Sequence, residues 1–187
     1  NEEENVADFI SKAHEFCQSV ALDYEIIVVD DGSTDNTLRV LNKNSQLDSR
    51  LSYFSNQKNM GVGFSMKKAM SLATKEFLIW QTQDWSYELD GFIEIIQAGT
   101  MQNAIVHGAR KLDSSLASRS DSKSKALISL CNYWLIRSLF RAPFSDFQNV
   151  TLYPKVIYKK YALVTESSFT SPELLLRTWN DGVDFIE

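Results

Sequence analysis

The sequence predicts an α/β fold with a mixed, mostly parallel central sheet flanked by helices. Three observations carry that prediction. Short apolar runs, Glu25–Val29, Phe77–Trp80 and Ile105–His107, each end abruptly in polar or charged residues, as buried parallel strands do where they empty into loops. Stretches with apolar residues at helical spacing stand between these runs, which is the alternation of a strand–helix–strand fold. The chain has 187 residues, 44% hydrophobic and 23% charged, enough for one domain over residues 1–187 with a sizeable core.

The bulk numbers also exclude some functions. A net charge of −5 argues against a nucleic-acid binder, which needs a basic stripe. Cys17 and Cys131 stand far apart. They suggest neither a disulfide framework nor a zinc site and fit a reducing, cytoplasmic compartment. No signal peptide or uninterrupted membrane span is present in the sequence.

Residues 4–20 place Val6, Phe9, Ile10, Ala13, Phe16 and Val20 at the spacing of an amphipathic helix. Glu2–Glu4 suit the positive end of its dipole, and His14 is expected on its surface. The next stretch, YEIIVVDDGSTDN (24–36), organises the chain. Its strand runs into Asp30, Asp31, Gly32 and Ser33, and in open α/β sheets ligands sit outside the carboxyl ends of strands. Two adjacent carboxylates repel a phosphate. They suit hydrogen-bond donors: a base N–H, ribose hydroxyls or water on a metal. The same residues also fit a solvated acidic turn. Gly32 permits positive φ, and Ser33 or Asp35 can cap a helix through Leu38, Val40 and Leu41.

Leu51–Phe54 reads as a short strand and residues 56–63 as a loop, followed by a helix over Phe64–Ala73. Gly61 and Gly63, with that helix N-terminus behind them, either cradle a phosphate through backbone N–H groups or simply make the turn. Phe77–Trp80 empties into Gln81-Thr82-Gln83-Asp84-Trp85, a helix follows over Tyr87–Gln97, and strand Ile105–His107 leads to Arg110. Arg110 suits a phosphate or a neighbouring acid; His107 is expected as a packed strand residue. Lys111–Lys125 is polar, serine-rich and locally basic, a linker or a loop that closes on an anionic ligand.

Ala126–Phe140 reads as a helix too short to span a bilayer. Its apolar groups lie on more than one face, as in an internal or dimer-packing helix. Tyr133, Trp134 and Phe140 with Arg137 and Arg141 also fit a peripheral membrane contact. Pro143 breaks the helix, and Val150–Tyr153 is a short strand. Lys155, Lys159 and Lys160 flank a helical segment as surface charges. Ser171-Pro172-Glu173 is a strong helix start, with Leu174, Leu175, Leu176 and Trp179 on the packed side and Asp181-Gly182 at its close. Asp184–Glu187 begins another strand.

Several of these pieces, in this order, resemble the family 2 glycosyltransferases of the GT-A (Rossmann-like) fold. They are the NEEEN segment (Asn1–Asn5), VVDDGSTDNT, the N-x-G-x-G loop (Asn59–Gly63), IVHGAR (105–110), SDFQN (145–149) and PELL (172–175). IVHGAR resembles the G-x-R strand of the polyprenyl- or dolichyl-phosphate sugar transferases, and SDFQN and PELL fit the family's acceptor-side motifs. The resemblance spans essentially the whole chain and implies a further strand just before Asn1, trimmed here, and a trimmed carboxyl end.

It also implies roles. Glu2, Asp30 and Asp31 would contact the ribose and base of a UDP- or GDP-sugar, with Gly61, Gly63, Gln83 and Arg110 around the donor. Glu2 could equally serve only the helix dipole. The family's Asp-x-Asp, which holds Mg²⁺ or Mn²⁺ at the diphosphate, is replaced by Gln81 and Gln83, so Asp84 is the acid left for metal and catalysis. Asp146 would be the acceptor-side general base, and Glu173 lies in an acceptor-side motif. The family's Gly-Phe-Arg after that Asp is absent; Asn149-Val150-Thr151 stands instead. The implied reaction is inverting sugar transfer to a lipid-phosphate or saccharide acceptor, in cell-surface polysaccharide or glycolipid synthesis at the cytoplasmic membrane face. The alternative is a catalytically silent nucleotide- or partner-binding module.

Overall fold

The computed structural model describes residues 1–21, 23–82, 90–108, 123–147 and 150–187. Helix α1 (Val6–Val20), strand β1 (Ile26–Asp30), helix α2 (Thr37–Leu47) and strand β2 (Leu51–Ser55) come first. Strands β1 and β2 pair in parallel, Ile26 opposite Leu51 and Asp30 opposite Ser55. Helix α3 (Val62–Leu72), strand β3 (Phe77–Ile79), helix α4 (Asp90–Gln102), strand β4 (Ile105–His107) and helix α5 (Lys123–Phe140) follow. Strand β5 (Thr151–Pro154), helices α6 (Lys155–Lys160) and α7 (Thr170–Asn180) and strand β6 (Phe185–Ile186) complete the order.

A second sheet runs β3-β5-β4-β6. Strand β5 is antiparallel to both β3 and β4, and β6 is parallel to β4. Strands β3, β4 and β6 therefore end at one edge, where β5 begins.

Alternating strand residues bury both sheet faces. Ile26 and Val28 pack with Val6, Ile10 and Leu41 of α1 and α2. Phe77, Ile79, Val106 and Leu152 pack with Phe92 and Ile96 of α4. On the opposite face Leu78, Ile105 and Tyr153 meet Met66 and Met70 of α3 and Leu174 of α7. Two faces covered by helices demand apolar side chains at every strand position, which is why the runs read as continuous rather than alternating.

Helices α4 and α7 end in the same way. Asn103 (φ 53°) and Gly182 (φ 72°) take the left-handed conformation just past each helix. Ala104 N–H then donates to Gly99 C=O and Val183 N–H to Thr178 C=O, the Schellman arrangement that satisfies the last carbonyls and stops a helix. Each turn feeds directly into β4 or β6.

Some boundaries differ from the sequence reading. Helix α3 begins at Val62, because Gly61 (φ 92°) makes the turn before it. Helix α7 begins at Thr170, so Ser171 is inside the helix and does not cap it. Pro172 is tolerated there because its missing N–H belongs to the first turn. His14 is not a free surface residue: it packs between the Tyr24 hydroxyl (Nδ1, 3.0 Å) and Asp48 (Nε2, 3.4 Å). Nor is α5 internal over its second half, where Trp134, Leu135, Leu139 and Phe140 are exposed.

Candidate functional site

Strand β1 delivers two acids to its carboxyl edge, and they are held differently. Asp30 is buried and accepts from Ser33 N–H (3.2 Å) and the Ser55 hydroxyl (3.0 Å). Asp31 accepts from the Asn56 side-chain amide (2.8 Å), Met60 N–H (2.9 Å) and Gly61 N–H (2.8 Å). Desolvation pushes the Asp31 carboxyl up, but the bonds from Met60, Asn56, Gly61 and Ser65 together outweigh it and hold it below the usual carboxylate range. A carboxylate offers about four acceptor positions. Asp31 commits most of its own to the chain, which leaves little for a ligand and makes it the anchor of the 59–61 loop.

Gly32 shows why that anchor is tight. Its φ is 79°, and a Cβ there would lie 2.6 Å from the Lys58 carbonyl carbon. The loop after β1 and the loop after β2 are thus pressed backbone to backbone. The chain start laces onto the same region. The amino group of Asn1 donates to Ser33 Oγ (3.1 Å), Glu2 N–H donates to Thr37 Oγ1 (2.8 Å) and Asn36 N–H donates to Glu3 (2.7 Å). The cap position of α2 falls to Asn36, whose side chain makes no cap bond, rather than to Ser33 or Asp35; Asp35, one residue before it, accepts from Thr37 N–H (3.0 Å). The Glu2 carboxylate accepts from the Asn5 amide (3.2 Å) and stays exposed at this edge.

Asn56 was not singled out in the sequence. It is buried, donates to Asp31 and to Ser65 Oγ (3.0 Å), and accepts from Lys68 Nζ (3.2 Å). A lone amide immediately after a strand was the available signal.

The two loop glycines have packing roles. Gly61 N–H is donated to Asp31, and Asn59 Oδ1 lies within reach of it as well (3.1 Å). A Cβ on Gly63 would lie 2.2 Å from Thr170 Oγ1 and 2.4 Å from the Glu166 carbonyl carbon, so this glycine lets α3 approach the chain ahead of α7. Glu173 belongs to that joint. It is buried and accepts from Val164 N–H (3.0 Å), Thr165 N–H (2.8 Å) and the Thr165 hydroxyl (2.6 Å), with Arg177 at 2.8 Å. Desolvation raises its carboxyl, and these partners more than reverse the shift, leaving it below its ordinary value.

Asp146 lies in the loop before β5, at the edge where β3, β4 and β6 end. Phe144 and Phe147 on either side of it are buried, and Ser145 N–H donates to Glu187 (2.7 Å). The Asp146 carbonyl faces Nε2 of His107 at 2.6 Å, and Nδ1 of that ring lies 2.7 Å from Thr151 Oγ1. A carbonyl only accepts, so Nε2 carries the proton and the neutral ring accepts from the Thr151 hydroxyl at Nδ1. Burial pushes the His107 pKa down, against smaller opposing effects of the Asp146 carbonyl and the charges of Glu187 and Asp146. The ring therefore stays neutral and fixes the backbone that presents Asp146.

Strand β3 ends at Ile79, and Gln81, two residues on, lines the same cleft as Asp30 and Asp31. Gln83, Asp84 and Arg110 lie outside the described residues, as do Gln148 and Asn149. Among the described residues no three His, Cys, Asp or Glu side chains group as a metal site. Gln81 alone brings a neutral amide oxygen, a weak donor for a hard cation. The structure thus ties Asp31 to Gly61, with Asp30 beside it in the chain and Glu2 nearby. It gathers Gly63 and Glu173 at the α3–α7 joint and places Asp146 with His107.

Two comparisons place the chain among known proteins. The cholesterol galactosyltransferase of Borreliella burgdorferi is 42% identical over 66 residues, a stretch that covers 35% of this chain and 18% of that protein. The family model described as glycosyl transferase family 2 matches residues 1–154, a span that takes in the paired acids, the glycine loop and the Asp146 loop. With its α/β architecture of the GT-A type, the chain belongs to glycosyl transferase family 2.

Proposed function

We propose that this chain moves a hexosyl residue from a UDP- or GDP-sugar to an acceptor, with inversion, in cell-surface polysaccharide or glycolipid synthesis. The observation that carries the reading is the paired acid terminus of β1, locked to the glycine loop at the carboxyl edge, where an α/β sheet receives its ligand. Asp30 and Asp31 shape the pocket for base and ribose, with Glu2, Gly61 and Gly63 around it. Gln83 and Arg110 serve the diphosphate. Asp84, the remaining acid after β3, would be the group for Mg²⁺ or Mn²⁺. The described donors do not fit a divalent cation by themselves, so the steps below involve only the chain's own residues.

The acceptor oxygen attacks the anomeric carbon from the side opposite the leaving diphosphate. The new C–O bond forms as the C–O bond to phosphate breaks, and the electron pair departs with the nucleoside diphosphate. A hydroxyl acceptor must lose its proton, and Asp146 takes it. A lipid phosphate is already ionised and needs no base. The relative's name, a cholesterol galactosyltransferase, supports a hydroxyl-bearing lipid among the lipid and saccharide acceptors. Glu173 supports the acceptor side indirectly, by fixing the 164–165 turn. Exposed Trp134, Leu135, Leu139 and Phe140 on α5, beside Arg137 and Arg141, suit peripheral contact with a cytoplasmic membrane face. No helix among the described residues is long and apolar enough to cross one.

Release of UDP or GDP from sugar donors, measured with acceptor lipid in vesicles, tests the reading. Asp146→Asn is expected to lose at least about a hundredfold in turnover while its nucleotide affinity is unchanged. Undiminished turnover in that variant would remove Asp146 as the base. Gln81 in place of an acid favours one other reading, a silent nucleotide-binding module. It would show as tight nucleotide binding with no donor consumed.

A further inference from the structure

Helix α5 has two unlike faces. Trp134, Leu135 and Leu139 are exposed, whereas Tyr133, Ile136 and Arg137 lie against the loop that follows the helix. That loop folds back directly after Phe140, where Arg141 takes a left-handed φ of 48°, uncommon for a residue other than glycine. Ala142, Phe144 and Phe147 are then buried with Leu175 and Leu176 of α7. The backbone polar groups of such a buried turn need partners inside the protein.

One side chain reaches both flanks of Asp146. The Tyr133 hydroxyl donates to the Phe144 carbonyl (3.3 Å) on one flank. On the other, the Tyr133 ring packs against the Phe147 ring, with 5.7 Å between centroids. Arg137, a helical turn further along α5, donates to the Tyr133 oxygen and lies 3.5 Å from the same Phe144 carbonyl. A guanidinium only donates, so the hydroxyl accepts from it and turns its own hydrogen to Phe144. A hydroxyl polarised in this way is the stronger donor. From β4, His107 holds the Asp146 carbonyl and sets its ring edge-on to Phe144, at 5.3 Å between centroids. Tyr133 and His107 together grip the 144–147 turn.

We infer that Tyr133, polarised by Arg137, is a positioning residue for the acceptor side: it fixes the turn from which Asp146 meets the acceptor oxygen. The inference rests on the reading of Asp146 as the base. Proton transfer requires the carboxylate within hydrogen-bond reach of the acceptor hydroxyl, and a displacement of ~1 Å can cost about a hundredfold in rate. The Tyr133 hydroxyl is engaged by Arg137 and Phe144, so it orients the turn and exchanges no proton with the substrate. Without it, the Phe144 carbonyl keeps only Arg137, at the long distance of 3.5 Å, and the turn is free to shift.

Tyr133→Phe tests the inference, because it keeps the ring on Phe147 and removes only the hydroxyl. Turnover is measured in the full polypeptide with UDP-galactose, UDP-glucose and GDP-mannose as donors and octyl glucoside as acceptor, which offers saccharide hydroxyls on an alkyl chain. The variant is expected to lose about tenfold in kcat, with nucleotide affinity and the KM for octyl glucoside unchanged. Placed on top of Asp146→Asn, the same substitution should add no further loss. Hydrogen exchange gives a readout apart from activity: the Ser145 amide should exchange about tenfold faster in Tyr133→Phe, while the amides between β4 and β5 keep their protection. Parental turnover in Tyr133→Phe, or unchanged exchange at Ser145, overturns the inference. An equal loss with and without Asp146 does so too, since it assigns Tyr133 to the stability of the whole fold. Undiminished turnover in Asp146→Asn alone, or a parent chain that consumes no donor, instead removes the reading of Asp146, and this inference with it.

Discussion

Asp31 and His107 show how single side chains fix the backbone at this edge of the molecule. His107 makes a testable case. The unfolded ring takes a proton near its ordinary 6.5, whereas the folded ring, held between Thr151 and the Asp146 carbonyl, resists protonation. Its contribution to stability is complete above pH 6.5 and is lost as pH falls through the depressed folded value. Urea unfolding between pH 8 and pH 5 should therefore show a loss in the parent chain that His107→Gln lacks. An identical pH slope in both proteins would mean the ring is not held neutral. Glu173 has the same sign at lower pH: its contribution is complete above the ordinary 4.5 and fades as pH drops below it. Removing its charge leaves Val164 N–H and Thr165 N–H poorly satisfied, so Glu173→Gln should lose about 1–3 kcal/mol in denaturant unfolding. Activity per folded molecule should change little. A variant of full stability but poor activity would instead place Glu173 in contact with the acceptor.

At the scale of elements, glycine sets how closely helices approach. A methyl group at position 63 has no room beside Thr170 and the Glu166 backbone. Gly63→Ala should cost about 1–3 kcal/mol, read as a lower midpoint in urea, by forcing α3 away from the start of α7. An unchanged midpoint would show that the joint yields. The strands and most helices were legible because the apolar runs and helical spacing are local signals. The three apolar runs and Leu51–Phe54 all appear as strands. Helix ends were less legible, since Gly61, Asn103 and the true start of α7 depend on which backbone groups find partners in three dimensions. The outward side of α5 was ambiguous for a related reason: spacing shows where apolar residues lie but not which of them a neighbour covers.

For the whole molecule, the candidate site was legible as a set of positions and much less so as a set of contacts. Asp30 and Asp31 stand at the strand end where the pattern puts them. That Asp31 would turn toward the Met60–Gly61 backbone, through Asn56, required the fold. The metal question also belongs here. Gln81 stands at the rim of the sheet, where an acid would add charge for a cation. Gln81→Asp should make UDP or GDP binding depend more steeply on Mn²⁺, by about tenfold in a calorimetric titration with and without the ion. Indifference to Mn²⁺ in that variant would show that the rim does not face the diphosphate.

The strand order β3-β5-β4-β6 has a consequence for synthesis on the ribosome. Strand β3 is complete at Ile79, but β5, its partner in the pairing, arrives only with Thr151. At ~5–20 residues per second the intervening stretch takes roughly 4–15 s to emerge. Until then β3, and β4 once it has emerged, lack the antiparallel strand that pairs with them. A nascent chain of this protein therefore holds apolar strands without this partner until Thr151 has emerged, the interval in which chaperones would find it and in which a pause before Thr151 would do most harm.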